Sequence, residues 1–450
     1  MRETTRPLKV ALAVSLLAAR ALAASPAPAG SQPPAFDLHS EPSIDVGLAW
    51  DLDSLNIELP PGATLKLEPS GRKIEARQGA ATLIVRIASP SSGGAASKAP
   101  AGAAPATATY RLGTGGSPSH GTIGAADTLL SSAAHGSEAG HAWRWAGKSW
   151  RGQLKIFVNP RGSLSLATRM PLETYLLGVV PGEIGALDPT LIEAGRAQAV
   201  AARSYTLFYR GRRASEGFDL FGTVEDQFYG AIESERPLAS RCVEDTRGKI
   251  AMWAGQPIRA NYCSTCGGIT AEVWEAWPAD PLPYLSSHAD RGDSDWCAAS
   301  PQYRWKESWP AAEFVANVER FSPTQGLPVP AGGIGDLKDV QILARSRSGR
   351  AWRLRVSGTR ADVEIPAYSI RQVLRRGGNA GAILRSNLFK IDVRREPGSG
   401  RALSVEASGA GSGHGVGLCQ TGALAMARAG RSAEQILEHY FFGAAIERRY

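Results

Sequence analysis

The sequence predicts an α+β fold, and three observations carry the prediction. Short apolar runs punctuated by Gly, Pro and Asp recur over residues 43–88 and again over 141–170, which is how strands are written. Residues 190–213 change to a three- and four-residue spacing, the period of a helix. After that, strand-like and helix-like segments mix without regular strand–helix–strand alternation, so a doubly wound parallel sheet is not indicated. With 450 residues, 43% hydrophobic and 20% charged, the chain is an ordinary globular one, long enough for two or three domains' worth of core.

Taken in order, residues 1–24 read as an export signal. Arg2, Arg6 and Lys9 precede the short apolar run "VALAVSLLAARALAA", and Ala21-Leu22-Ala23 supplies small residues for cleavage. The run is too short and interrupted to span a bilayer, and no later segment is long enough, so no transmembrane segment is expected after signal removal. The expected location is the cell envelope, secreted or periplasmic. Removing the four basic residues and Glu3 of the signal from the formal charge of +8 leaves about +5. That excess requires no nucleic-acid partner; an anionic envelope polymer is the more natural one. Residues 25–42 begin with the Pro/Ala run "SPAPAGSQPPA", a linker composition.

From residue 43 the segments "IDVGLAW", "LNIEL", "ATLKLEP" and "ATLIVRIA" predict a small β unit. Residues 89–140 are rich in Ser, Gly, Ala and Pro and read as a flexible insertion, with one candidate strand at "ATYRLG". Asp188-Pro189 is a helix N-cap followed by proline at the first position. In the helix that follows, Ile192, Gly195, Ala199, Ala202, Thr206 and Tyr209 form a stripe rich in small residues, suited to close packing. Further on, "AAEFVANVERF" and "SIRQVLRRGG" read as helices and "VQILARS", "AWRLRVSG" and "ADVEIPA" as strands. Ser432 with Gln435 marks a capping box for a last helix. No internal repeat is present.

Several residues are candidates for chemistry. Glu183, in "LLGVVPGEIGALDP", ends an apolar run; a carboxyl desolvated there would have a raised pKa, as a general acid near neutral pH needs. The alternative is a solvated glutamate in a Pro-Gly turn. Arg203, in "AVAARSYT", can clamp a sugar, orient a carboxylate, or make a structural ion pair. Cys263-x-x-Cys266 has the spacing of half a zinc site. Cys297 is a third candidate ligand, and His288, Cys242 or His414 could complete four. Against a metal stands an oxidising compartment, where a disulfide is the ordinary fate of exported cysteines. The two readings stay level, with a redox role behind them. His414 lies in the glycine-only turn "GSGHGVG" and reads as a binding residue. A Cys419–His414 nucleophile pair ranks low, because no Asn or Asp is placed to orient it.

Taken together, "MPLETYLLGVVPGEI", "EAGRAQAVAARSYTLF", "DQFYGAI", "TRGKI", "YCSTCGGIT" and "GHGVGLCQTGALAMARAG" resemble the SpoIID/LytB family of sporulation and cell-wall proteins. The resemblance runs from about residue 43 to the C-terminus and is weakest in 89–140. It implies a SpoIID-like catalytic domain over 43–450 and lytic transglycosylation of peptidoglycan glycan strands, preferably those stripped of stem peptides. It also implies Glu183 as catalytic acid, Arg203 and His414 as its partners, and Tyr205, Gln227 and Gln420 from the matching motifs as substrate-binding residues. Some members hold a structural zinc, and Cys263, Cys266 and Cys297 are the natural counterparts here; the proposed chemistry requires no cofactor. Cys263 stands where many members carry His, and Cys419 where many carry Ser. LytB-type relatives imply the competing expectation, a glycan-binding modifier of a cell-wall amidase.

Overall fold

The alternating segments of the N-terminal half pair into two antiparallel-rich sheets. In this computed structural model the described residues are 36, 38–75, 80–88, 106–113, 118–131 and 142–450, so the expected signal over 1–24 lies outside them. The described residues form two compact units. The first comprises 36–263, 283–285 and 417–450, and the second comprises 264–282 and 286–416. The sequence reads one domain over 43–450; the division falls between Cys263 and Ser264, inside the cysteine motif. The helices among the described residues are α1 (Leu172–Ile184), α2 (Ile192–Tyr209), α3 (Pro237–Asp245), α4 (Ala311–Phe321), α5 (Ala367–Leu374), α6 (Gln420–Arg428) and α7 (Ala433–Tyr440). With several sheets beside them the fold is α+β. No helix among the described residues is long and apolar enough to cross a membrane.

In the first unit, strands Leu220–Phe221, Ser43–Leu52, Leu164–Pro171, Gln153–Val158, Thr128–Ser131, Thr64–Glu68 and Arg72–Glu75 lie in that order in a seven-stranded sheet. A six-stranded sheet includes Ser54–Leu59 and Ala81–Ile87, whose buried Leu55, Ile57, Leu59, Leu83 and Val85 follow the period of two expected of a sheet with one covered face. Among its described residues, the stretch read as a flexible insertion holds three strands: Ala108–Gly113, Ser119–Ile123 and Thr128–Ser131. The first is the candidate strand of the sequence reading. The other two are four or five residues long, too short for periodicity to mark, and are secured by pairing instead: Thr128–Ser131 bridges Thr64–Glu68 and Gln153–Val158.

The helices of this unit include one the sequence conceals. Pro181 and Gly182 read as a turn, yet they lie in the last turns of α1. An interior proline costs a helix about 3 kcal/mol, whereas each fully buried Leu or Val contributes about 1.5–3 kcal/mol. Leu172, Leu176, Val179 and Val180 are all fully buried on α1, so burial outweighs the proline. Helix α2 begins as predicted: Asp188 accepts from the Thr190 N–H at 2.8 Å, and Pro189 opens a 3-10 turn that runs into the helix. Its middle, Ala197 to Leu207, is buried on every side, and a Cβ on Gly195 would sit 2.6 Å from Cys242 Sγ, so α3 approaches α2 at the distance only glycine allows. The predicted capping box opens α7: Ser432 Oγ accepts from the Gln435 N–H, and Gln435 Oε1 from the Ser432 N–H at 3.0 Å.

In the second unit, strands Arg304–Pro310, Ala402–Ala410 and Phe389–Arg395 form one antiparallel sheet, and Leu337–Arg345, Ala351–Gly358 and Asp362–Pro366 another. Their inner faces join α4 and α5 in one core built on Trp309, Phe314, Leu354, Val356, Ile365, Ile370 and Val405.

Candidate active site

Two glycines on one face of α1 create the setting of Glu183. A Cβ on Gly178 would sit 2.5 Å from the Gly230 carbonyl oxygen, and one on Gly182 would sit 2.5 Å from the Phe228 ring. The segment Gln227–Gly230 therefore lies directly on the helix, and the Phe228 N–H donates to Glu183 Oε1 at 2.9 Å. Gln420, at the start of α6, brings its amide nitrogen 3.5 Å from Glu183 Oε2. The carboxyl is half-buried. Burial pushes its pKa up, and the Phe228 N–H, the Gln420 amide and, least, the Tyr262 hydroxyl pull it back only in part, so it stands above the ordinary glutamate value. Its place in the last turn of α1, where the helix dipole is negative, acts in the same upward direction. The result is a partly accessible carboxyl biased toward its protonated form, with a backbone N–H and an amide as its partners.

Behind this carboxyl lies a buried polar network. Gln227 is fully buried; Thr206 Oγ1 lies 2.7 Å and Tyr175 Oη 3.2 Å from its amide oxygen, and its nitrogen donates to the Ala202 carbonyl at 3.2 Å and to Tyr262 Oη at 2.9 Å. Gln227 is thus no substrate-binding residue, since a side chain without exposed surface touches no glycan. Tyr205 is buried as well, 6% exposed, and its ring packs 4.6 Å from that of Tyr209. Gln420 remains beside the acid, half-buried.

Arg203 is not at the site either. It is 0% exposed, and its Nε and a terminal nitrogen bond the two oxygens of Glu173 at 2.8 and 2.7 Å. The Lys249 carbonyl accepts from the guanidinium at 3.0 Å, while Glu173 also accepts from the Tyr450 hydroxyl at 2.6 Å. Of the roles the sequence left open for Arg203, the geometry leaves the structural ion pair and removes contact with substrate.

The second unit carries the remaining candidates. Cys266 and Cys297 are buried with their sulfurs 3.7 Å apart, and Asp290 Oδ2 lies 3.0 Å from Cys266 Sγ. A disulfide requires about 2.05 Å, and none of the five cysteines is in one. Two thiolates at the zinc–sulfur distance, about 2.3 Å, stand about 3.8 Å apart around a tetrahedral metal. The 3.7 Å spacing fits that value, and the donor set of two thiols and a carboxylate fits zinc chemistry. This buried cluster could bind a metal. The Cys266 loop is held from behind by Arg350, which donates to the Cys266 and Ile269 carbonyls at 2.9 and 3.2 Å. Asp290, absent from the sequence-derived ligand set, sits in "HADRGDSDWC", where one histidine and three aspartates within ten residues gave no period to single it out. Cys263 belongs to the first unit, on a two-residue strand paired in register with Cys419. His414 is half-buried against Trp277, ring centroids 4.7 Å apart; its Nδ1 accepts from the Val416 N–H at 3.0 Å, so in the neutral ring Nε2 carries the proton.

Comparison with known proteins adds the context for this geometry. Residues 160–253, which hold Glu183 and Arg203, match the family profile described as stage II sporulation protein (SpoIID), and residues 297–417 match a domain of unknown function, DUF8618. An uncharacterised protein of Brachyspira hyodysenteriae is 26% identical over 65% of this chain and 70% of its own length. The stage II sporulation protein D of Bacillus subtilis is 27% identical over 62% of this chain and 74% of its own length. The amidase enhancer of Bacillus subtilis is 28% identical over 60% of this chain, which spans 40% of that protein. The chain therefore carries a domain of the SpoIID family.

Proposed function

We propose that the chain is an exported peptidoglycan lytic transglycosylase that cleaves the bond between N-acetylmuramic acid and N-acetylglucosamine, with Glu183 as general acid and then base. The observation that carries this reading is the half-buried carboxyl whose pKa is raised mainly by desolvation. In its protonated form Glu183 gives its proton to the bridging oxygen as the glycosidic bond breaks. The carboxylate then accepts the proton of the muramoyl 6-hydroxyl as that oxygen closes on the anomeric carbon, and the product is a 1,6-anhydro sugar. One carboxyl serves both steps and is reprotonated by the second, so the second carboxylate used in glycoside hydrolysis is not required. The Phe228 N–H holds Oε1 at 2.9 Å, and Oε2, which meets only the longer 3.5 Å contact from the Gln420 amide, is the oxygen that exchanges the proton. The expected substrate is glycan stripped of stem peptides.

Cys266, Asp290 and Cys297 would hold a zinc ion. When bound it supplies a structural cross-link between the loop at 266–270 and the segment 290–297, and the proton transfers remain with Glu183. His414 is assigned to substrate contact, with its Nε2–H as donor. The similarity to an amidase enhancer favours a second reading: a modifier that binds glycan and acts on a cell-wall amidase without cutting. Digestion of purified glycan in ¹⁸O-labelled water separates the readings. Anhydro-ended products without label support transglycosylation; labelled reducing ends mean hydrolysis, and no cleavage leaves the modifier.

A further inference from the structure

The residue whose backbone holds the acid also carries an open aromatic ring. The Phe228 N–H donates to Glu183 Oε1 at 2.9 Å, and covalent geometry then keeps the ring of the same residue within about 8 Å of that oxygen. The ring is seated as well as tied. A Cβ on Gly182, the residue before Glu183, would lie 2.5 Å from its Cδ1, 3.0 Å from its Cε1 and 3.7 Å from its Cγ. One side of the ring therefore rests on bare backbone in the last turns of α1, and any side chain at 182 would displace it. The rest is open, for Phe228 is 40% exposed. An exposed aromatic standing alone is ordinary on a protein surface. Phe228 is set apart by its bond to the acid and by the helix that fixes its open side in one orientation.

A pyranose presents the matching surface. Its ring C–H groups form a flat apolar face with hydroxyls around the rim, and those C–H bonds carry the positive partial charge that an aromatic face attracts. Stacking the two also removes apolar area from water. Gln420 supplies a polar partner on the acid's other oxygen. Its nitrogen faces Glu183 Oε2 at 3.5 Å, and its amide oxygen accepts no hydrogen bond among the described residues, which leaves it for a sugar hydroxyl or an N-acetyl N–H. We propose that Phe228 is a glycan-binding residue, its open side the platform on which one pyranose ring of the strand stacks beside Glu183. The inference deepens the transglycosylase reading and rests on it for the bond that is cut; the binding itself requires no cleavage. A sugar held on a ring that is itself tied to the acid has a fixed place relative to the carboxyl, as proton transfer over hydrogen-bond distance requires.

The test titrates peptide-stripped glycan fragments into folded Glu183→Gln, which binds without cutting, and into the same protein carrying Phe228→Tyr or Phe228→Leu. Tyrosine keeps the flat ring, whereas leucine keeps apolar bulk without it. Phe228→Leu should weaken binding about fivefold and Phe228→Tyr by less than about twofold. In the cleaving protein, Phe228→Leu should raise KM by a similar factor and leave the alkaline limb of kcat/KM at the same pH, because the N–H on Glu183 belongs to the backbone. A ring that served packing alone would shift that limb or lower the unfolding midpoint while the affinity stayed unchanged. Binding by Phe228→Leu within about twofold of its parent, equal weakening by tyrosine and leucine, or no measurable binding by Glu183→Gln overturns the inference. Phe228→Met takes the place of the leucine variant if that one does not fold. Should the unchanged protein release no anhydro product, the transglycosylase reading fails while the affinity comparison still decides this one.

Discussion

Replacing Arg203 by Met separates a structural ion pair from a substrate clamp. The guanidinium is 0% exposed and gives two hydrogen bonds to Glu173, with a third to the Lys249 carbonyl. Arg203→Met removes those and leaves the Glu173 carboxylate buried with the Tyr450 hydroxyl and the Gly248 N–H as donors. Stripping one partner from a buried pair costs about 3–5 kcal/mol, most of it the uncompensated charge. Arg203→Met/Glu173→Leu removes both charges and should lose less than the single variant. Urea unfolding supplies the free energies. The folded fraction of Arg203→Met should cleave glycan within about threefold of normal, because the residue touches no substrate. The pH dependence has a definite sign. Burial raises the Glu173 carboxyl, but Arg203, Tyr450 and Gly248 outweigh it and hold it below the ordinary range. Its contribution is therefore fully present above the unfolded value of about 4.3 and is lost as pH falls through the lower folded value. The gap between wild type and Arg203→Met should narrow below about pH 4. Normal stability with a large loss of glycan cleavage in Arg203→Met would refute the reasoning and restore the clamp.

Two further outcomes follow from the geometry. Gly178→Ala places a Cβ 2.5 Å from a backbone carbonyl that has no rotamer to escape into, so it should destabilise the first unit by about 1–3 kcal/mol and shift the Phe228 N–H off Glu183; unchanged unfolding and activity would contradict the packing described. Metal analysis of the purified protein should find about one equivalent of zinc, falling below about a tenth in Cys266→Ser/Cys297→Ser; wild-type protein below a tenth would remove the metal assignment.

The sequence was most legible where local chemistry and long-range packing agree. The Asp188-Pro189 start of α2, the Ser432–Gln435 capping box and the period-two strands are local signals, and each is found in the fold. Helix α1 was hidden because Pro181-Gly182 is turn chemistry by itself, and only burial of the preceding apolar side chains overrides it. Glu183 could be singled out as a carboxyl at the end of an apolar run, but its donors come from Phe228 and Gln420, 45 and 237 positions away. Arg203 and Gln227 were drawn into the site because polar residues in an apolar helix or a motif suggest contact with ligand. Their partners, Glu173 for one and Ala202 and Tyr262 for the other, are visible only after folding. Asp290 carried no signal at all, since its role beside Cys266 depends on the loop held by Arg350.

The central claim is that Glu183 moves the proton, and Glu183→Gln tests it most directly. The amide is nearly isosteric, can still accept from the Phe228 N–H, and carries no transferable proton. Product analysis on peptide-stripped glycan should show release of anhydro-ended fragments reduced by about a hundredfold or more, with the unfolding midpoint preserved. Anhydro products at the wild-type rate from a folded Glu183→Gln protein would contradict the account.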